Sequence, residues 1–401
     1  MKRRLLIMSV GILVIVVLTM LSFVPAYAQA EVPKTIKIGI LVSFTGPDAM
    51  IGKPAEIGYE MAVEKINKGG GVYVKEYGKK IPLELLIMDM ETNPEKAVAR
   101  AEVLNQRKAS VVCGTTLMSA TSDIFEKNKL PAITSLVTNV GLFERGFKYY
   151  FGISKMNDGI VDAIFAAFAN IPKDQRPSRW AVWEEQSDWI AELFNLARKK
   201  APANGVTFVS HSKYPMLARD MSPLIFAAKK AGAEVIFSAP VPPDCIMMLR
   251  QMRELGYNPK GIIMIRGSDD PAWAKMTGPM GDYVIGCPDW HPALSCPGVK
   301  ELNAEYKAKF GKRTHIVVGN AYASIQIAAA AIEKAGTLER SKIRDAIAGI
   351  DTMTVFGRIK FNNKGRRIDA PPVVTQWQKG VMEMVWPNDM KTKKLVYPIP
   401  R

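Results

Sequence analysis

The chain has 401 residues, 48% hydrophobic and 23% charged, with a formal net charge of +16. That is enough apolar material for a globular core and enough length for two or three domains. The positive excess does not point to nucleic acid: "KEYGKK", "ARKK", "AKK", "GKR", "KGRR" and "KTKK" are scattered, with no basic stripe interleaved with aromatics, and attraction to acidic ligands or anionic lipid explains it equally well.

The N-terminus, "MKRRLLIMSVGILVIVVLTMLSFVPAYAQA", has a basic start, an apolar run over 5–24, Pro25, and small residues at Ala26 and Ala28. This pattern predicts a secretory signal over 1–28 with Gln29 as the first mature residue; the run is also long enough to be kept as an anchor. Either way the remainder is expected outside the cytoplasm. No later stretch reaches about 18 consecutive apolar residues.

From Lys34 onward, short β-branched runs alternate with helical patterns. "TIKIGILVSF" reads as a strand, "PAEIGYEMAVEKINKGGG" as a helix opened by Pro54, and "IPLELLIMDM" as a strand. Asn93 then caps a helix with Pro94 at its first position. "ASVVCG", "LPAITS" and "YYFGIS" close a first series. "SRWAVW", "GVTFVSH", "AEVIFS", "GIIMIR" and "DYVIG", with helices between them, form a second. Such alternation implies βαβ units and parallel sheets, here in two similar α/β lobes. After Cys296 come helices in "PGVKELNAEYKAKFG", "VGNAYASIQIAAAAIEKAG" and "ERSKIRDAIAGI". "TVFGRIKFNNKGRR" is then a strand or a hairpin turning at 363–365, and "VVTQWQKGVMEMVW" a hairpin turning at Lys379 and Gly380.

Cys287 and Cys296 flank "PDWHPALS" and are the only cysteines close in sequence, so a disulfide between them is expected. His291 between two thiols also suggests zinc, but no Cys-x-x-Cys spacing supports it and no metal or cofactor is expected. Cys113 and Cys245, in apolar runs, read as buried thiols.

The stretch "TGPDAMIGKP" looks at first like a phosphate-binding loop. Gly46 and Gly52 are separated by five residues rather than four, and Lys53 is followed by Pro54, which has neither hydroxyl nor N–H. The loop nonetheless lies at the carboxyl end of the first strand, where open α/β sheets bind ligands.

"KIGILVSFTGPDAMIGKPAEIGYEMAVEKINKGGGV" resembles the opening of solute-binding proteins of the leucine/isoleucine/valine-binding class, which serve ABC importers. The similarity continues through "TNPEKAVARAEVL", "LPAITSLVTNVGL", "AVWEEQSDW" and "AYASIQIAAAAIEKAG". The resemblance implies a type I periplasmic binding protein: two α/β lobes joined by three hinge crossings, closing on a small ligand. It places 34–154 with about 284–365 in one lobe, and 155–283 with about 366–401 in the other. The implied partners are a small amino acid or carboxylate and a membrane permease, with no nucleic acid.

The resemblance also implies site residues. In "GTTLMSAT" the carboxylate-holding position falls on Ser119, with Thr115 and Thr116 behind it, in a loop that looks shorter than the family's; Ser119 also fits a plain N-cap. In "ITSLVTN" a backbone contact falls on Leu136 and a hydroxyl on Thr138, which would otherwise cap the turn. Trp189 stands where relatives stack a Tyr on the ligand, although a core Trp fits the same helix. Val241 stands near an aromatic pocket position. Asp269, or its neighbour Asp270, matches the acid that meets a ligand ammonium, unless Arg266 is its partner or it caps the helix after Pro271.

An enzyme is disfavoured. His211, His291 and His315 form no triad or metal spacing, G-x-S-x-G is missing, and the acid pairs Glu184–Glu185 and Asp269–Asp270 define no dyad by themselves. The alternative is a ligand-sensing protein for an aromatic acid, amide or dicarboxylate, working with a membrane receptor.

Overall fold

In the computed structural model the β-branched runs become two separate sheets. Residues 31–368 and 373–400 are described, so the secretory segment read at 1–28 lies outside the described residues. Thr35 onward forms one unit.

The first sheet begins with β1 (Ile36–Val42). After a small hairpin of β2 (Val72–Val74) and β3 (Lys79–Ile81) come β4 (Leu83–Asp89), β5 (Val111–Gly114), β6 (Ala132–Thr134) and β7 (Tyr150–Gly152). The order is β4-β1-β5-β6-β7 and every pairing is parallel. Only Lys37 of β1 escapes burial, because helices cover both faces of a parallel sheet and its central strand reads as an unbroken apolar run.

The second sheet holds β8 (Arg179–Glu185), β9 (Thr207–Tyr214), β10 (Val235–Ser238), β11 (Gly261–Met264) and β12 (Val284–Gly286). A separate hairpin follows, β13 (Asp351–Thr354) with β14 (Gly357–Lys360), and then β15 (Val374–Gln378) and β16 (Val381–Trp386) return to the sheet. Its order is β16-β15-β12-β11-β10-β8-β9, parallel from β12 to β9 and antiparallel at the β15 and β16 edge.

The helix Pro94–Gln106 starts as its sequence predicts: the Asn93 side chain accepts from the Lys96 N–H at 2.9 Å. The helix Ile316–Ala335 is long and apolar enough to cross a membrane, yet most of it is buried in the fold against the helix Ala49–Lys68. Pro54 lies inside that latter helix, which begins at Ala49, rather than opening it. The helix Asn157–Ala169 has no counterpart in the sequence reading. It buries Ile160, Val161, Ala163, Ile164, Phe165, Ala167 and Phe168, so little contrast between faces remains to mark it.

The chain crosses between the lobes three times, at 153–156 after β7, at 287–290 after β12, and between β14 and β15. Because β12 pairs with β11 in the second sheet, the second crossing follows Gly286. The crossings are tied together by charge. Lys155, buried, donates through Nζ to the Cys287 carbonyl (2.6 Å) and the Pro288 carbonyl, and lies 3.7 Å from Asp289 Oδ1. Arg366 bonds both oxygens of Asp158 at 3.0 and 2.9 Å.

Lys379 and Gly380 both take positive φ (53° and 74°) and close the β15–β16 hairpin as expected. Upstream, the turn at 362–365 exists, with the Gly365 N–H donating to Asn362 O at 3.1 Å. The regular hairpin there is β13–β14, whose tip is Val355 and Phe356.

The expected Cys287–Cys296 disulfide is not formed; all four cysteines are free thiols. Cys287 packs into the second-lobe core with Ile265 and Ile285, whereas Cys296 lies beside Gly357 on the β13–β14 hairpin. Trp290, buried between them, donates to Val355 O at 2.9 Å and holds the segment on that hairpin. His291 uses both ring nitrogens on backbone, accepting from the Ala293 N–H (3.1 Å) and donating to Met382 O (3.2 Å). Among the described residues no group of three His, Cys, Asp or Glu is placed to hold a metal.

Candidate functional site

The carboxyl ends of the strands in both sheets open onto one cavity of about 470 Å³, within the size range of small-ligand pockets. Residues from both lobes and from the hinge crossings line it.

The first-lobe wall is mainly neutral. The glycine loop after β1 is bent by its glycines: Gly46 has φ +82°, and a Cβ on Gly52 would sit 1.9 Å from Ser43 O. They serve the turn itself, and the loop brings Asp48, Met50 and Ile51 to the cavity. Thr116 and Ser119 line the same wall from a 3-10 turn, Thr116–Thr121, after β5. Thr116 Oγ1 donates to Asp48 Oδ2 at 2.7 Å. Leu136 and Thr138 line it from the loop after β6. Thr115 sits behind this wall: it is buried, does not line the cavity, and its hydroxyl has no partner.

The second-lobe wall carries charge. β8 ends in two acids that its pleat turns to opposite faces. Glu184 meets His211 (2.7 Å) and Lys213 (3.0 Å), while Glu185 lines the cavity and pairs with Arg266. The two acids therefore form no dyad. Trp189 lines the cavity from the helix Asp188–Lys200, and the Arg266 guanidinium stands 5.1 Å from its ring centroid, a cation–π arrangement. Val241 borders the cavity one residue before the helix Pro242–Glu254.

Asp269 and Asp270, from the loop after β11, both line the cavity. Arg266 is engaged with Glu185, so it does not serve as the internal partner of Asp269. Burial pushes the Asp269 carboxyl up, against the attraction of His315 and Lys155. Burial also pushes Asp270 up, but the His315 imidazole and the Ala272 N–H (2.6 Å) outweigh it and leave that carboxyl below the usual range. His315 comes from the opposite side of the cleft, at the start of the helix Ile316–Ala335, and its Nε2 lies 3.9 Å from Asp270 Oδ2. A second contact across the cleft joins the Val140 N–H to Glu192 at 2.7 Å.

The structure thus brings Ser119, Thr116, Leu136, Thr138, Trp189, Val241 and Asp269 around one cavity. The glycine loop that carries Asp48 is expected at the cleft from the sequence, whereas Lys155, Glu185 and His315 are not among the residues expected there. Each depends on a partner distant in sequence, so no local pattern marked them.

The chain is 27% identical over 354 residues to the leucine-, isoleucine-, valine-, threonine- and alanine-binding protein of Pseudomonas aeruginosa, covering 86% of this chain and 90% of that one. It is 24% identical over 381 residues to Leu/Ile/Val-binding protein homolog 8 of Brucella abortus, covering 90% and 92%. Among solved structures, a leucine-binding protein of Thermotoga maritima superposes with a TM-score of 0.76 at 23% identity, over 88% of this chain and all of that one. A solute-binding protein of R. palustris in complex with benzoate gives 0.75 at 15% identity, over 88% and 95%; at such identities these two matches show the fold alone. The family model described as periplasmic binding protein matches residues 35–381. Two lobes, three crossings, one cavity between them and a match over most of its length show that this chain belongs to the periplasmic binding protein family.

Proposed function

We propose that the protein is the extracytoplasmic binding component of an ABC importer, capturing a small amino-acid-like or carboxylate ligand and presenting it to a membrane permease. The observation that carries this reading is a cavity to which both lobes contribute loops from their strand ends. A ligand touching both walls favours the closed arrangement over the open one, and hinge closure is the physical output. In this reading Ser119 and Thr138, with the Leu136 backbone, hold a carboxylate, while the Thr116 hydroxyl stays engaged with Asp48. Asp269 receives an ammonium, whose charge would relieve the burial that raises its carboxyl. Trp189 and Val241 border the rest of the ligand. The amino-acid part of this reading draws on the kinship with the Pseudomonas aeruginosa protein, and the importer role on the family resemblance in the sequence.

A thermal-shift screen tests this, using protein refolded once to strip carried-over ligand and a panel of amino acids, aromatic acids, dicarboxylates and amides. A ligand at a hundred times its dissociation constant adds ~2.7 kcal/mol. The expected result is a clear shift with amino acids that Asp269→Ala abolishes. A shift only with non-amino carboxylates or amides keeps the binding role and removes Asp269 from recognition. No shift with any compound contradicts the reading.

A further inference from the structure

The buried end of the second-lobe wall carries more acid than base. Glu185 is fully buried. Its Oε2 pairs with Arg266, but Oε1 has no hydrogen-bond partner although the residue lines the cavity. Behind it stands Asp244, 1% exposed, in the first turn of the helix Pro242–Glu254. Its Oδ2 accepts from the Leu217 N–H at 3.1 Å and its Oδ1 has no partner. One guanidinium therefore answers two buried carboxyls. Burial pushes both above the usual range against the attraction of Arg266, and the charge of Asp244 pushes Glu185 further. The negative field continues across the cleft, since Asp48 on the first lobe acts on Glu185 in the same direction.

The lining as a whole has the same bias. Asp48, Glu185, Asp269, Asp270 and Asp289 face it with Lys155 and Arg266 as the fixed cations. Lys155 is engaged on two carbonyls and Asp289 in the floor, and Arg266 is set between Glu185 and the Trp189 ring. A hydrocarbon group placed at Glu185 would leave Oε1 dry and the surplus charge uncompensated, which is costly in a buried site. A cationic donor would supply both the missing hydrogen bond and the missing charge.

We propose that Glu185, backed by Asp244, forms a cation subsite of the cavity that receives an ammonium or guanidinium group of the ligand's side chain. Basic amino acids, rather than purely aliphatic ones, are then the favoured class. The assignment rests on the reading of the cavity as the ligand site and narrows it.

Calorimetric titration of ligand-stripped protein with arginine, lysine, citrulline and leucine tests it. Arginine and citrulline share a shape and differ in charge, so the comparison needs no variant. The expected result is that arginine or lysine binds about tenfold or more tighter than citrulline and leucine, and that Glu185→Gln brings arginine down to the affinity of citrulline. Leucine or citrulline binding as tightly as arginine overturns the cation subsite, as does an arginine preference that survives Glu185→Gln. In either case the wider thermal-shift panel still finds a ligand. Failure of every compound in both experiments instead removes the binding reading beneath it.

Discussion

At the floor of the cleft, Lys155 donates to two carbonyls and faces Asp289. On the second-lobe wall, Arg266 answers one oxygen of Glu185 and leaves the other open, with Asp244 behind it also half-satisfied. Both places bury charge. The floor joins two hinge crossings and sets one cation against one anion, although Asp289 Oδ1 there also has no hydrogen-bond partner; its network holds the lobes in register. The wall is short of positive charge, and it faces the cavity. A balanced buried network stabilises the fold that makes it, whereas an unbalanced one that faces a cavity is stabilised by what enters.

That contrast can be broken or sharpened by substitution. The largest effect is expected at the floor. Lys155→Met leaves Asp289 buried without its cation and lowers unfolding free energy by about 3–5 kcal/mol, read by denaturant titration; Lys155→Met with Asp289→Asn recovers most of it. Next comes a pH effect close to the same crossing. Burial, aided by Arg313, holds His291 down at about 4 from an ordinary 6.5. The folded protein resists the proton that the unfolded chain accepts, so the stability is fully present above about pH 6.5 and is lost as pH falls towards 4. The loss is about 3 kcal/mol, and His291→Gln flattens it in melts taken across that window.

The first-lobe wall gives smaller numbers. Thr116→Val removes the hydroxyl that donates to Asp48 at 2.7 Å and is expected to cost about 1 kcal/mol. Thr115→Val, whose hydroxyl has no partner, is expected near zero by the same denaturant titration. Smallest among the charged positions is Glu185→Gln, below about 1 kcal/mol, because it removes one of two carboxyls sharing Arg266 and leaves an amide oxygen to accept from it. A loss at Glu185→Gln as large as at Lys155→Met would show that the wall, like the floor, is a structural pair.

The same contrast explains what could be read from the sequence. The hydroxyl wall is made by loops that each follow one strand, so the family resemblance in "GTTLMSAT" and "ITSLVTN" could point to it, although Thr115 faces inward. The strand runs, the Asn93 cap and the turn at Lys379 and Gly380 are local in the same way. The charged wall converges from positions 185, 244 and 266, which only the stacking of β8, β10 and β11 brings together. The floor likewise pairs Lys155 with residues more than a hundred positions away. The helix Asn157–Ala169 was hidden by near-uniform burial. The Cys287–Cys296 expectation failed because nearness in sequence does not set direction: one thiol enters the second-lobe core and the other meets a hairpin.

The central claim is that one small ligand touches both walls and closes them. Hydrogen exchange, with and without the compound that stabilises the protein most, tests it directly. The expected result is that the amides of 116–119 and of 265–270 slow together on saturation, since both loops line the cavity. Protection confined to one wall, or lying outside the cavity altogether, would contradict capture between the lobes.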